Sequence, residues 1–205
     1  MAKQNSELKN EALAALRGNW PMAAVITLVY ILLISVVSVL PRVGNLLTLL
    51  ISFPLAYGIF LVFYDLYRTK RELEFGRLFE GFKDYGRIWG TGLLTYLYTF
   101  LWLLLLIVPG IIKSYSYALV YYILMDEPEL KYNKAIEKSM KMMNGHKMRL
   151  FLLHLSFIGW GILSFLTLGL GFFLLTPYIY TANAAFYEDL KKEWKEKEEA
   201  TAVAG

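Results

Sequence analysis

The chain has 205 residues, of which 57% are hydrophobic, with a net charge of +4 and no cysteine. Soluble domains contain about 45–50% apolar residues, so this composition indicates a membrane protein. The lack of cysteine excludes a disulfide framework, a thiol nucleophile and a thiolate metal site. Three long blocks, residues 18–64, 88–125 and 150–187, contain only two Lys or Arg residues, Arg42 and Lys113, and no Asp or Glu.

Turn residues divide each block in two, at Pro41 to Gly44, at Pro109-Gly110 and at Thr167 to Gly171. A helix needs about 20 apolar residues to cross the hydrocarbon core. Continuous apolar runs without alternation argue against a transmembrane barrel. We therefore predict an all-α polytopic transmembrane bundle with six spans in three hairpins. The spans are predicted at residues 21–40, 46–64, 91–108, 111–125, 150–166 and 170–186.

The basic residues predict the orientation of these spans. All but two of the 21 lysines and arginines lie before the first span, between the blocks or in the tail. The positive-inside rule then places both termini and both long loops in the cytoplasm, in a protein of the cell membrane. This distribution explains the positive charge as topology and argues against a nucleic-acid partner. The predicted parts are a cytoplasmic amphipathic N-terminal helix at 1–19, a six-span membrane domain at 20–188 and a charged cytoplasmic tail at 189–205.

An amphipathic stretch precedes each block, at residues 6–17, 72–85 and 133–144. We expect these stretches to lie along the membrane interface, with their apolar faces among the lipids and their basic residues near anionic headgroups. Each is followed or ended by a glycine, which favours a left-handed helix end because glycine has no Cβ. These glycines are Gly18, Gly86 and Gly145.

The spacing of these features predicts an internal repeat. The distance from Gly18 to Pro41 equals that from Gly86 to Pro109, and the third block is nearly the same. Pro54 and Pro177 also precede similar aromatic and acidic residues at equal distances. We interpret the chain as three copies of one hairpin unit.

Five motifs together resemble a known family. They are the segments 6–20, 108–117, 145–151, 155–160 and 176–178, which include Val108-Pro109-Gly110 and Thr176-Pro177-Tyr178. They are similar to the bacterial integral membrane family catalogued as domain of unknown function 975. The resemblance implies a multi-pass bacterial membrane protein, more distantly similar to the membrane region attached to some glycerophosphodiester phosphodiesterases. The family brings no established activity.

Polar residues in the predicted fourth to sixth spans are candidates for a ligand cavity. Two interpretations remain open: these side chains line a cavity for a polar substrate or headgroup, or they form an aromatic belt with interhelical hydrogen bonds. His154 in this set is a candidate proton relay or a hydrogen-bonding partner of a neighbouring helix. The set consists of Tyr115, Tyr117, Tyr121, His154, Tyr178 and Asn183.

Charged residues at the predicted cytoplasmic ends of the spans are candidates for ion pairs that fasten the helices together. Solvated pairs of this kind contribute no more than about 1 kcal/mol each. The acidic members are Asp65, Asp126 and Glu188, and the basic members are Arg17, Arg87 and Arg149.

Pro54 and Pro177 lie inside predicted spans, where proline breaks the backbone ladder. Matching broken helices can mark a transport site, although packing kinks are the commoner cause. Lys113, close to the outer interface, is either functional or extends its ammonium group to the headgroups.

No catalytic, cofactor or metal-ligand motif is present in the sequence. We therefore expect a non-enzymatic membrane protein that acts in membrane organisation or partner binding. The alternative is a transporter or channel component for small solutes or lipids, which uses the proline-broken second and sixth helices. The expected partners are the bilayer, anionic headgroups at the cytoplasmic loops, and a second copy or another membrane protein.

Overall fold

The computed structural model describes residues 3–38, 44–70 and 72–204, and this part of the chain is all-helical without a strand. Its elements in chain order are α1 Asn5–Leu16, α2 Trp20–Ser38, α3 Gly44–Thr69, a 3-10 helix Phe75–Phe82, α4 Tyr85–Leu105, α5 Ile107–Ser116, α6 Val120–Asp126, α7 Asn133–Met142, α8 Lys147–Leu155, α9 Ile158–Leu166 and α10 Phe172–Ala204.

Five helical segments of the described residues are long and apolar enough to cross a membrane. Two of them contain a break: α5 and α6 form one segment, and α8 and α9 form another. The long helix α10, which contains the sixth predicted span, is not among the five. The segments are Trp20–Val37, Gly44–Thr69, Tyr85–Leu105, Ile107–Asp126 and Lys147–Leu166.

The turns agree only in part with the sequence prediction. The first turn, with Arg42, lies outside the described residues. The prediction of a turn at Pro109-Gly110 is wrong, because α5 begins at Ile107 after the extended residue Leu106. A proline fits the first turn of a helix, where its missing N–H has no intrahelical partner. The third turn is confirmed between α9 and α10, where Gly169 has a φ of +87°.

The predicted left-handed helix ends are confirmed at two of the three glycines. Gly18 has a φ of +85° and Gly145 a φ of +82°. The prediction for Gly86 is wrong: this residue is the second of α4, because the chain leaves the preceding 3-10 helix at Lys83 and Asp84.

The core lies around α3 and α10, which contact each other and most of the remaining helices. Large aromatic side chains from α3, α6 and α10 fill it, and those fully buried are Phe63, Tyr64, Tyr122, Phe186 and Tyr187. In α10 the small residues Ala182 and Ala185 are also fully buried. Such residues allow the neighbouring helices to approach α10 closely.

The amphipathic stretches differ from the prediction in what their apolar faces contact. The face of α1 that includes Leu8 and Ala12 is buried against α10 and α3, and Ile136 of α7 is also buried. These faces therefore pack on protein. The 3-10 helix keeps a partly exposed aromatic row, which consists of Phe75, Phe79 and Phe82.

The 3-10 helix lies directly on the backbone of α3. A Cβ added at Gly58 would lie 1.8 Å from the carbonyl oxygen of Leu78, and one at Gly81 would lie 2.2 Å from the carbonyl oxygen of Pro54. Both distances are far below van der Waals contact. Glycine is therefore required on each side of this interface.

Candidate functional site

At one end of the bundle, charged and hydroxyl side chains from two other helices surround Asp126, the last residue of α6. Helix α3 contributes Tyr64 and Arg68, while α10 contributes Tyr187, Glu188 and Lys191. We call these six residues the Asp126 cluster, and the end of the bundle where they lie the charged end.

Asp126 accepts contacts from both neighbouring helices. Its Oδ2 lies 2.5 Å from Lys191 Nζ and 2.8 Å from the Tyr187 hydroxyl, and its Oδ1 lies 3.3 Å from Arg68. The Tyr64 hydroxyl lies 2.9 Å from Asp126 Oδ1 and 2.6 Å from Glu188 Oε1. A hydroxyl has one proton to donate, so Tyr64 joins the two carboxylates through a single shared donor.

Asp126 needs these hydrogen-bond and ion-pair partners because its carboxylate is buried. Its side chain is only 8% exposed, and burying a carboxylate without partners costs several kcal/mol. Two cations and two hydroxyl groups compensate for the lost hydration. The Asp126 cluster therefore fastens the C-terminal end of α6 to both central helices.

A second network holds α1 against the bundle. The backbone nitrogen of Lys3 donates to Asp189, which also pairs with Arg149, and Arg149 donates to the Lys3 carbonyl at 2.7 Å. Lys3 Nζ and the Tyr67 hydroxyl each lie 2.6 Å from Glu11. Burial alone would raise the pKa of Glu11, but these two hydrogen bonds outweigh it and hold the pKa below its usual range.

The predicted ion pairs form with other partners than we expected. Asp65 pairs with Arg77 at 2.7 Å, while Asp126 and Glu188 pair with the cations of the Asp126 cluster. Arg87 of α4 pairs with Asp84, the residue that precedes this helix, and donates to the carbonyl oxygens of Leu124 and Leu130. Arg149 pairs with Asp189.

Arg17 is exposed and forms no ion pair within the described part of the chain. The carboxylates thus bind cations on adjacent turns and neighbouring helices, which the prediction had not considered. Around Asp126, the prediction missed Arg68 and Lys191. Their positions on the charged ends of α3 and α10, one turn after Tyr64 and Tyr187, were the available signal.

Three of the six candidate cavity residues lie together and are half-buried. His154 Nε2 is 2.9 Å from Asn183 Oδ1, and its Nδ1 is 3.4 Å from the Tyr115 hydroxyl. His154 and Asn183 line a cavity of about 450 Å³ with Phe60 and Tyr180. This arrangement joins α5, α8 and α10 through one imidazole ring.

The other three candidates lie elsewhere. Tyr121 packs against Phe60 with ring centroids 5.2 Å apart. Tyr178 packs edge-on against Phe157 at 4.9 Å and lines a separate apolar groove. Tyr117 is buried at the break between α5 and α6. The six candidate residues therefore do not line one common cavity.

The space between α3, α6 and α10 is closed by aromatic rings. Tyr122 and Tyr187 stack with centroids 4.9 Å apart, and Phe60 meets Tyr180 at 4.8 Å. Tyr64 packs edge-on against both tyrosines of the stack. Aromatic side chains therefore fill this part of the described core.

Pro54 and Pro177 lie inside continuous helices, α3 and α10. A proline cannot donate to the carbonyl four residues earlier, which for Pro54 is that of Leu50. The Tyr85 hydroxyl donates to this carbonyl at 3.1 Å. A side chain of α4 thus satisfies the carbonyl group that the proline leaves without an intrahelical donor.

Lys113 places its ammonium group 5.0 Å from the centre of the Trp102 ring. Cation–π contacts of this kind contribute about 0.5–1 kcal/mol at exposed sites. No group of three or more His, Cys, Asp or Glu residues that could hold a metal ion occurs in the part of the chain that the structure describes.

A helical bundle with five apolar helices of this length is the architecture of a membrane protein. The family model described as "Protein of unknown function (DUF975)" matches residues 103–194, and this match places that region in the family. The predicted resemblance is confirmed there. No curated protein and no solved structure matches the chain significantly. The similarity to the phosphodiesterase membrane region stays a prediction.

Proposed function

We propose that the chain is a six-span integral protein of the bacterial cell membrane, with both termini and the charged end in the cytoplasm. It acts without catalysis, in membrane organisation or partner binding through its cytoplasmic face. The five apolar segments support a place in the membrane, and the basic residues of the charged end support the orientation.

The first half of α10 is the proposed sixth span. It starts at the α9–α10 turn and reaches the charged end at Glu188. Its polar residues reduce its hydropathy, but Thr181 is fully buried and Asn183 bonds to His154. A helix enclosed by other helices contacts little lipid, so its surface can be more polar than that of a peripheral span.

The order of elements supports the proposed threefold repeat. A short amphipathic helix precedes an apolar helix in three places: α1 before α2, the 3-10 helix before α4, and α7 before α8. A second apolar helix follows in each unit. The proposed units differ at Gly86, which lacks the left-handed conformation of Gly18 and Gly145.

The closed aromatic centre is the observation that favours a binding or organising role over transport. A transporter or channel component needs a polar cavity near the middle of the membrane, at the meeting point of the proline-containing helices. Phe60 packs against Tyr121 and Tyr180 between these helices in the described structure. The continuous α3 and α10 also argue against half-helices that bind a solute.

Reconstituted vesicles provide the test. Purified protein in vesicles that contain labelled phosphatidylglycerol should concentrate this lipid, seen as increased self-quenching, whereas labelled phosphatidylcholine should be unaffected. Entrapped ions should leak no faster than from protein-free vesicles. Leakage that depends on the protein would favour the transporter, and equal quenching of both lipids would contradict the organising role.

A matched pair of variants locates the effect. Lys131, Lys134 and Lys141 are exposed lysines on and beside α7. Each basic residue near an anionic surface contributes about 1 kcal/mol, so replacing the three with glutamine should reduce the lipid enrichment at least about twofold. Lys113→Gln, at the other side of the proposed membrane, should leave the enrichment unchanged.

A further inference from the structure

We propose that a cleft between α1, α3 and α10 at the charged end binds a phosphate-bearing anion. The cleft has a volume of about 390 Å³, and its walls include Arg68, Lys70 and Lys192. This volume lies near the lower end of the usual range for small-molecule sites. It fits a phosphate group with a small substituent.

The two carboxylates in the cleft are already compensated. Glu11 is bound by Lys3 and by Tyr67, each at 2.6 Å. Glu188 accepts from Tyr64 at 2.6 Å and lies 3.7 Å from Arg68. Neither carboxylate therefore depends on a lysine of the cleft.

Lys70 and Lys192 provide the excess positive charge. Both are exposed, and neither side chain forms an ion pair or hydrogen bond with another described residue. Lys192 lies in α10 and Lys70 directly follows α3, so the fold brings residues that are distant in sequence to one cleft. A phosphate group offers several acceptor oxygens and can contact both ammonium groups and the Arg68 guanidinium at once.

The local structure holds these donors in place. Lys70 has a φ of +51°, a left-handed conformation that is unfavourable for a residue with a Cβ and that ends α3 at this rim. Arg68 is fixed by its contacts to Asp126 and Glu188. Ala14 of α1 lines the cleft, and its small side chain leaves the space open.

The anion can be a soluble phosphate ester or the headgroup of an anionic phospholipid, since both offer the same oxygens. The proposal rests on the proposed function only for the statement that the cleft faces the cytoplasm. Binding itself can be measured on purified protein in a maltoside detergent, where orientation has no influence.

Isothermal titration calorimetry with inorganic phosphate, glycerol 3-phosphate and dihexanoylphosphatidic acid tests the site. We expect saturable binding that weakens as salt is added, because the contacts are exposed charges. The variant with both Lys70→Gln and Lys192→Gln should bind about tenfold more weakly. Lys195→Gln, an exposed lysine of α10 outside the cleft, is the matched control and should bind as the wild type does.

A second variant tests the cavity without altering charge. Ala14→Leu should fill the cleft and weaken binding while retaining the wild-type elution volume and helix content. Tighter binding of the short-chain lipid than of glycerol 3-phosphate would identify a headgroup site, and equal binding a soluble phosphate ester. Absence of binding by all three probes, or equal affinity of the double variant and the Lys195→Gln control, would overturn the proposal.

Discussion

The two ends of the bundle differ in the polarity of their side chains. At the charged end, Asp126 and Asp189 are buried within networks of cations and hydroxyl groups. At the other end, Leu105, Ile107 and Leu168 are 72%, 70% and 96% exposed. An apolar surface of this extent is unfavourable in water and normal in lipid. This difference indicates that ion pairs and hydrogen bonds hold the helices together at the charged end. At the other end, the exposed apolar side chains suit contact with lipid.

A pair of phenylalanines tests this contrast most strongly. Phe63 is fully buried in α3, whereas Phe165 of α9 is 77% exposed. We expect Phe63→Ala to lower the free energy of unfolding by about 3 kcal/mol or more, because it leaves a cavity. Phe165→Ala should change it by less than about 0.5 kcal/mol. Unfolding by dodecyl sulfate in maltoside micelles measures both, and equal losses would mean that the ends do not differ.

The charged end contains its own matched pair. Asp126→Asn removes a buried carboxylate that pairs with both Lys191 and Arg68, and we expect a loss of about 3 kcal/mol. Glu74→Gln removes an exposed partner of Arg77, and its cost should stay below about 1 kcal/mol. The same unfolding titration measures both. If Asp126→Asn lowers the free energy of unfolding by less than about 1 kcal/mol, the Asp126 cluster does not hold the helices together.

Glycines allow a test of the contact between α3 and the 3-10 helix. We expect Gly58→Ala to cost about 2 kcal/mol, because its Cβ would overlap the Leu78 carbonyl. Gly159→Ala in α9 meets no neighbour within 4 Å and should be neutral or slightly stabilising. If Gly58→Ala unfolds like the wild type, the 3-10 helix does not lie on α3.

The smallest effect concerns pH. Burial lowers the pKa of His146 from its ordinary value of 6.5, and Glu193 at 3.6 Å opposes this shift. A depressed folded pKa means that the unfolded chain takes up a proton first. The stability contributed by His146 is thus present above pH 6.5 and lost as the pH falls below it.

The wild type should therefore lose more stability than His146→Gln when thermal unfolding is followed from pH 7 downward, over about two pH units. Parallel curves for the two proteins would contradict the assignment, whereas a steeper fall of the wild type would support it.

Much of the fold could be predicted because charge gaps and span lengths are local properties. The apolar helices follow from residues such as those of Trp20–Val37 and Lys147–Leu166. The turn at Pro109 was misplaced because proline is compatible both with a turn and with the first turn of a helix. The partners of Asp126 and Arg149 could not be predicted, since they depend on which helices become neighbours.

The buried face of α1 illustrates the same limit. Its apolar stripe predicts a surface that avoids water, but lipid and protein both satisfy this requirement. Leu8 contacts protein because Lys3 and Glu11 fasten the helix to α8, α10 and α3. Only the assembled bundle distinguishes the two environments.

The most direct test of the account is the location of its two ends across the membrane. The chain has no cysteine, so Leu168→Cys and Glu74→Cys each introduce a single reactive thiol at an exposed position. In intact cells an impermeant maleimide should label Leu168→Cys at once and label Glu74→Cys only after lysis. Labelling of Glu74→Cys in intact cells, with Leu168→Cys protected until lysis, would contradict the orientation.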